Sequence, residues 1–240
     1  MYAYPGAVTP RLIDQMASEP QILPYVDLPL QHAHRDTLRR MRRPANVDWV
    51  YRTISAMRER MPGLAIRTTF IVGYPGETGE EFEALLRFME DIRFDRVGAF
   101  TYSYEVGTPS AALPDHVPEE VKRDRHDRLM ALQQGISLAR NQTLVGQTLD
   151  VLVEGHGQAE DGDGHSLDEV ISVGRSYRDA PEIDGYVLVE GELPVGAIVP
   201  VRVTGAMVYD LMGTVETGPA SVIAPGRIYG PGELASRDER

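Results

Sequence analysis

Arg67 and Glu77 bracket the stretch Thr68-Thr69-Phe70-Ile71-Val72-Gly73-Tyr74-Pro75-Gly76, which sets a cation, an anion and two glycines close together. A guanidinium can grip a carboxylate bidentately, and glycines let a ligand approach the backbone closely. The alternative for Arg67 is a structural ion pair with Glu77 or Asp27. Upstream, Gln31-His32-Ala33-His34 offers amide and imidazole groups, and Arg39, Arg40, Arg42 and Arg43 follow. His32 and His34 lie two apart with no third ligand spaced nearby, so no metal site is expected. The arginines read as substrate- or scaffold-facing, since acidic residues balance them in the same half of the chain. Glu105 with Thr108 could bind or could cap its own loop. The run Glu160-Asp161-Gly162-Asp163-Gly164 lacks the bidentate acid that a calcium loop requires, so it is not read as one.

The elements that must position these groups are legible around the central stretch. Ile66 to Val72 is β-branched and aromatic, as in a strand buried on both faces. Gly73 and Gly76 force a turn, and Thr78 precedes Glu81 at capping-box spacing ahead of Phe82, Leu85, Leu86 and Met89. Strand, glycine turn and helix follow one another, and in parallel α/β folds that turn lies where ligands bind. Elsewhere the pattern predicts a helix over Arg11–Ser18, a short strand at Tyr25–Leu28, a helix from about Asp48 to Met61, a strand from Arg96 to Ser103 and a long helix from about Pro118 to Val145. On that last helix Leu129, Leu132, Ile136 and Leu144 form the apolar face, while Lys122, Arg123, Arg125 and Arg128 read as solvated. Alternating strands and helices predict parallel pairing with right-handed crossovers.

From Gly146 the pattern changes to short alternating runs at Thr148–Val153, Glu169–Val173, Gly185–Val189, Ile198–Val203 and Met207–Leu211. Five such runs predict a small antiparallel barrel. Beyond Gly213 the Gly, Pro, Ala and Ser content predicts a disordered tail.

Composition bounds the function. The 240 residues are 42% apolar, with no run as long as a membrane span, and cysteine is absent. Disulfides, thiolate metal sites and an iron–sulfur cluster held by this chain alone are therefore excluded, and a cytoplasmic location is expected. The net charge of −12 is concentrated: residues 144–213 hold 3 basic and 13 acidic side chains. A segment of that sign repels nucleic-acid phosphate and attracts a basic protein. Asp161, Asp163, Asp168 and Asp184 fall in its expected hairpin loops and are candidates to face such a partner.

Asp27-x-Pro29-Leu30-Gln31-His32, Met41-Arg42-Arg43, Arg67-Thr68 through Gly76-Glu77-Thr78 and Tyr102-Ser103-x-Glu105-x-Gly107-Thr108 occur in this order. The sequence resembles the radical S-adenosylmethionine methylthiotransferases, and most of all the branch that modifies an aspartate of a small-subunit ribosomal protein. The tRNA-modifying branch is the alternative, as is a binding module competent only through its last domain. The five-strand segment resembles a TRAM domain, an OB-like barrel. The resemblance implies an α/β chain: residues 1–143 as the late part of a TIM-type (β/α) barrel, 144–213 as the TRAM domain and 214–240 as tail. It implies S-adenosylmethionine and 4Fe-4S clusters as cofactors, the cluster cysteines lying outside this chain, and a basic small-subunit ribosomal protein as substrate. By the same resemblance Ile71 and Gly73 would lie against the adenine, Gln31 and Arg67 would meet the methionine or ribose polar groups, and Glu77 belongs to the same cofactor-binding set.

Overall fold

The computed structural model describes residues 3–160 and 166–216, and the chain divides into two compact units, Met1–Thr143 and Leu144–Arg240. No described helix is long and apolar enough to cross a membrane.

In the first unit β1 (Tyr25–Asp27), β2 (Ala65–Val72) and β3 (Arg96–Thr101) form a parallel sheet in the order β1-β2-β3. Around it run α1 (Pro10–Ser18), α2 (Arg35–Arg40), α3 (Val47–Arg60), α4 (Gly79–Ile92) and α5 (Glu119–Gln142). Ala3 donates its N–H to the Asp27 carbonyl at 2.8 Å, so the N-terminal segment runs beside β1. β2 is buried unequally. Ile66, Thr68, Phe70 and Val72 are buried, whereas Arg67, Thr69 and Ile71, which alternate with them, are only half-buried. The expectation of a strand buried on both faces is corrected: period-2 alternation gives each strand two faces, and one of them is incompletely covered.

The covered face packs on a core in which Phe70 meets Phe88 and Phe94 edge to face, with Leu85, Met89 and Leu129 around them. α4 begins where the sequence places it, because Thr78 and Glu81 form the complete capping box. α5 departs from expectation. Lys122 and Arg125 are buried, 3% and 8% exposed, not solvated. They lie on the same helical stripe as Leu129, Gln133 and Ile136, and that stripe faces the sheet.

The second unit is a closed barrel of β4 (Thr148–Glu160), β5 (Ser166–Arg175), β6 (Val187–Glu190), β7 (Ile198–Ala206) and β8 (Leu211–Val215), in the order β4-β5-β6-β8-β7. It is not wholly antiparallel, because β6 and β8 pair in parallel. The β7–β8 hairpin inserts β8 between β6 and β7, and a strand placed there runs alongside one neighbour and against the other. The last strand also starts later than expected. Met207 N–H bonds the Asp210 carbonyl at 2.9 Å, so 207–210 is the hairpin turn and β8 begins at Leu211. That strand continues to Val215, which moves the boundary of the expected tail; residues 217–240 lie outside the described residues. Val151, Val187, Val189, Val201, Val203 and Leu211 fill the interior. Gly213 belongs there because a β-carbon would stand 2.4 Å from a Val201 methyl.

Candidate functional site

At the carboxyl end of β2 the chain turns through Gly73 to Thr78, and ionic groups from three other elements hold that turn. Glu77 is 4% exposed. Its Oε2 accepts the N–H groups of Gly73 (2.6 Å) and Tyr74 (3.1 Å), and its Oε1 pairs with Arg125 Nη1 at 3.0 Å. Burial pushes the Glu77 carboxyl up, against the lowering effect of Arg125 and the two N–H groups. Four residues on, Glu81 accepts from Arg40 (2.5 Å) and from the Thr78 N–H (2.9 Å). Burial pushes this carboxyl up as well, but the bonds from Arg40 and Thr78 outweigh it and hold Glu81 below its ordinary value. Gly73 has φ +72°, and a β-carbon on it would stand 2.3 Å from Lys122 Cγ. Lys122 is itself anchored, donating to the Tyr102 carbonyl (2.9 Å) and to Glu119 (2.6 Å).

His32 completes the cluster. Its Nδ1 accepts the His34 N–H at 2.9 Å, which leaves the ring proton on Nε2. That Nε2 is buried with no hydrogen-bond partner, 4.0 Å from Glu77 Oε2. Burial lowers the His32 pKa to about 3; Glu81 opposes this, while His34, Arg40 and Arg125 reinforce it.

The incompletely covered face of the sheet lies beside this turn. Arg67 and Thr69 pair in register with Arg96 and Gly98, and Ile71 with Phe100, which is 61% exposed. A β-carbon on Gly98 would meet Thr69 Oγ1, the Phe100 ring and Arg67 Nη2 at 3.6–3.8 Å, so these side chains share one face. Arg67 Nη1 pairs with Asp27 Oδ2 at 2.9 Å, making the Asp27 ion pair the alternative that holds; Glu77 takes Arg125 instead. Asp27 Oδ1 stays buried without a hydrogen-bond partner. Gln31 is bound to β2 on both sides, its N–H to the Thr69 carbonyl and its carbonyl to the Ile71 N–H, both at 2.9 Å. It does so at φ +63°, a conformation a non-glycine residue adopts only at a cost.

The structure thus brings Arg67, Ile71 and Gln31 together along β2, with Gly73 at its end, and gives Glu77 the work of closing the turn. Sequence reasoning named Asp27 as a partner for Arg67 but missed the roles of Arg40, Lys122 and Arg125. For the last two the signal was their spacing with Leu129 and Ile136; for Arg40 no local signal exists, because its partner lies 41 residues away.

From the sequence, His32 and His34 lack a third metal ligand; in the structure His34, without His32, meets two acids. His34, Asp36 and Glu81 bring ligand atoms within 4.8 Å of one another. Arg40 already neutralises Glu81, and His34 Nδ1 accepts the Asp36 N–H at the start of α2, so this cluster is a helix cap with an ion pair. In the barrel, Asp184 Oδ2 accepts the Ala180 N–H at 2.9 Å and closes its own loop. Asp161 and Asp163 lie outside the described residues, as does the side chain of Asp168.

Residues 2–89 match the radical SAM superfamily and residues 145–215 match the TRAM domain. The chain is 57% identical over 213 residues to the ribosomal protein uS12 methylthiotransferase RimO of Chloroflexus aurantiacus, covering 89% of this chain and 46% of that protein. It is 54% identical over 220 residues to the protein of the same name from Roseiflexus sp., covering 92% and 45%. Among solved structures, the radical SAM enzyme coproporphyrinogen III oxidase (HemN) of Escherichia coli is similar at a TM-score of 0.49 and 15% identity, covering 73% of this chain and 45% of that one. The chain spans about half the length of the curated relatives it matches. A radical SAM segment followed by a TRAM barrel, with more than half of the aligned residues shared with those relatives, makes this chain similar to the RimO radical SAM methylthiotransferases over about half of their length.

Proposed function

We propose that this chain is the part of a cytoplasmic radical SAM methylthiotransferase that contributes one side of the S-adenosylmethionine site and a substrate-docking barrel, and that the whole enzyme adds a methylthio group to an aspartate of ribosomal protein uS12. The observation that carries the reading is the open face of β2, where Arg67, Thr69 and Ile71 stand in line beside Gln31. S-adenosylmethionine fits that face. The unpaired Asp27 Oδ1 and the Arg67 guanidinium suit its hydroxyl, amino and carboxylate groups, and Ile71 with Phe100 forms an apolar wall for its adenine. Gly73, followed by a turn fixed through Glu77, leaves the backbone approachable at the end of the strand.

When bound, S-adenosylmethionine supplies the radical and methyl chemistry of the reaction. The contribution of these residues is to bind and orient it. Asp27 sets the Arg67 guanidinium, the backbone of Gln31 is clamped to β2, and the Glu77–Arg125 pair holds the turn still. The 4Fe-4S clusters of such enzymes do not fit the residues present, since the chain has no cysteine, and the ligands must come from outside it.

The barrel supports the substrate half of the reading. At −10 over residues 144–213 it is suited to a basic ribosomal protein and unsuited to an RNA backbone, with Asp161, Asp163 and Asp168 as the partner-facing acids, while Asp184 is engaged in its own loop. Titration of the 240-residue chain with S-adenosylmethionine, followed by amide NMR, tests the cofactor half. Shifts confined to Gln31, Arg67, Ile71, Gly73 and their neighbours, weakened at least tenfold by Arg67→Ala, are expected. Shifts confined to the barrel, or none at saturating ligand, contradict it.

A further inference from the structure

The loops that leave the carboxyl ends of all three parallel strands meet around a cavity of about 210 Å³, lined by Arg40, Arg42, Tyr74, Ser110 and Leu113 among others. One lining segment follows β1 through α2, one is the turn after β2, and one is the loop after β3. The last is pinned to the turn by the Gly76 N–H, which donates to the Asp115 carbonyl at 2.8 Å. Ligands in parallel α/β sheets gather at this end.

Arg42 is the unusual residue here. α2 ends with the Arg43 N–H bonded to the Leu38 carbonyl at 2.8 Å, and Arg42, the residue before, sits at φ +54°. That position of a helix terminus ordinarily takes glycine, because a β-carbon strains it. Its arginine neighbours have partners: Arg39 pairs with Asp36, and Arg40 with Glu81. Arg42 has neither an ion pair nor a side-chain hydrogen bond among the described residues, though its charge reaches the Tyr74 hydroxyl. Tyr74 donates to the Arg40 carbonyl at 3.3 Å, and the Ser110 hydroxyl lies 3.0 Å from that of Thr108, so the polar walls are fixed. Among the described residues, no acidic side chain lines the cavity.

A free guanidinium, a hydroxyl and an apolar wall of Met41, Pro109 and Leu113 suit a monoanion carried on a short aliphatic stem. A phosphate dianion would call for more cations or a cradle of backbone N–H groups. We infer that this cavity is a carboxylate pocket in which Arg42 holds an aspartate side chain of the protein substrate. The substrate assignment rests on the reading under Proposed function; the carboxylate chemistry does not.

The test uses the 240-residue chain with N-acetyl-aspartate methylamide as probe, the asparagine analogue and inorganic phosphate as controls, and NMR of the arginine side-chain N–H groups as readout. A saturable shift at Arg42 is expected with the aspartate probe, none with asparagine, and a response to phosphate at least tenfold weaker. Arg42→Gln should lose binding at least tenfold. Arg42→Gly should lose it equally while raising the thermal midpoint by a few degrees, which separates a ligand-binding arginine from one kept for stability. Equal binding of phosphate, no saturable shift, or unchanged binding in Arg42→Gln overturns the pocket. The function fails separately: carboxylate binding with no uS12 modification by the complete enzyme leaves the pocket standing and overturns the substrate reading.

Discussion

Gly73 carries two constraints that a sequence displays only as a glycine: a left-handed backbone and the Lys122 side chain packed where a β-carbon would go. Gly73→Ala combines backbone strain with displacement of a buried lysine, and should cost about 2–4 kcal/mol of stability in urea unfolding. A loss below about 0.5 kcal/mol would show that Lys122 moves aside freely. His32 makes a pH prediction. Its imidazole is held neutral down to about pH 3, whereas in the unfolded chain it takes a proton near 6.5. Folding stability is therefore full above pH 6.5 and falls as pH drops toward 3, by about 1.4 kcal/mol per unit at most. Glu81, with its lowered pKa, adds to the loss only below the usual carboxylate range. Glu77, with its raised pKa, works in the opposite direction, so its contribution is lost as pH rises. The difference between the parent chain and His32→Gln between pH 5 and 6.5 isolates the histidine. The variant should show the flatter pH dependence, and parallel curves would contradict the assignment.

At the scale of elements, the strands, α4 and its capping box were legible because hydrophobic period and cap chemistry are local. So were Arg67, Ile71 and Gly73 as neighbours, since one strand and its turn carry all three. The half-open face of β2 was not legible, because apolar character alone does not tell which face a neighbour covers. Nor was the parallel β6–β8 pairing, which depends on which strand the last hairpin inserts beside. The buried cations of α5 were readable in principle, as Lys122 and Arg125 share a stripe with Leu129; taking every charge as solvated concealed it. Arg125 ties α5 to the turn after β2 through Glu77, which is fully buried, and this predicts non-additive stability. Arg125→Met leaves an unpaired carboxylate and should cost about 3–5 kcal/mol, as should Glu77→Ala, which orphans the guanidinium. Combining Glu77→Ala with Arg125→Met should cost less than the sum of the single changes, by about 1 kcal/mol or more. Strict additivity in the double-mutant cycle would mean that the pair does not couple the two elements.

On the scale of the whole molecule, charge and fold are distributed differently. The parallel sheet unit is close to neutral, and the barrel holds nearly all of the negative charge. A closed barrel leaves no free sheet edge, so residues 144–216 should fold alone and show a cooperative thermal transition. That fragment should bind uS12 more weakly as salt rises from low to moderate concentration, and Asp161→Asn, Asp163→Asn and Asp168→Asn together should weaken binding and flatten the salt dependence. Preference for tRNA over uS12 would reverse the substrate assignment.

The proposed function gives this chain the cofactor and substrate contacts for methylthiolation of uS12 and puts the cluster ligands outside it, since it has no cysteine. Intact-mass and peptide mass spectrometry of uS12 tests it most directly, with S-adenosylmethionine, a sulfur source and a reductant present. The parent chain alone should leave uS12 unmodified. The chain joined to a cysteine-bearing portion from a relative should place one methylthio group on one aspartate, and Arg67→Ala in that fusion should abolish it. Modification by the parent chain alone would contradict the account, as would a fusion that binds its clusters and cleaves S-adenosylmethionine yet leaves uS12 untouched.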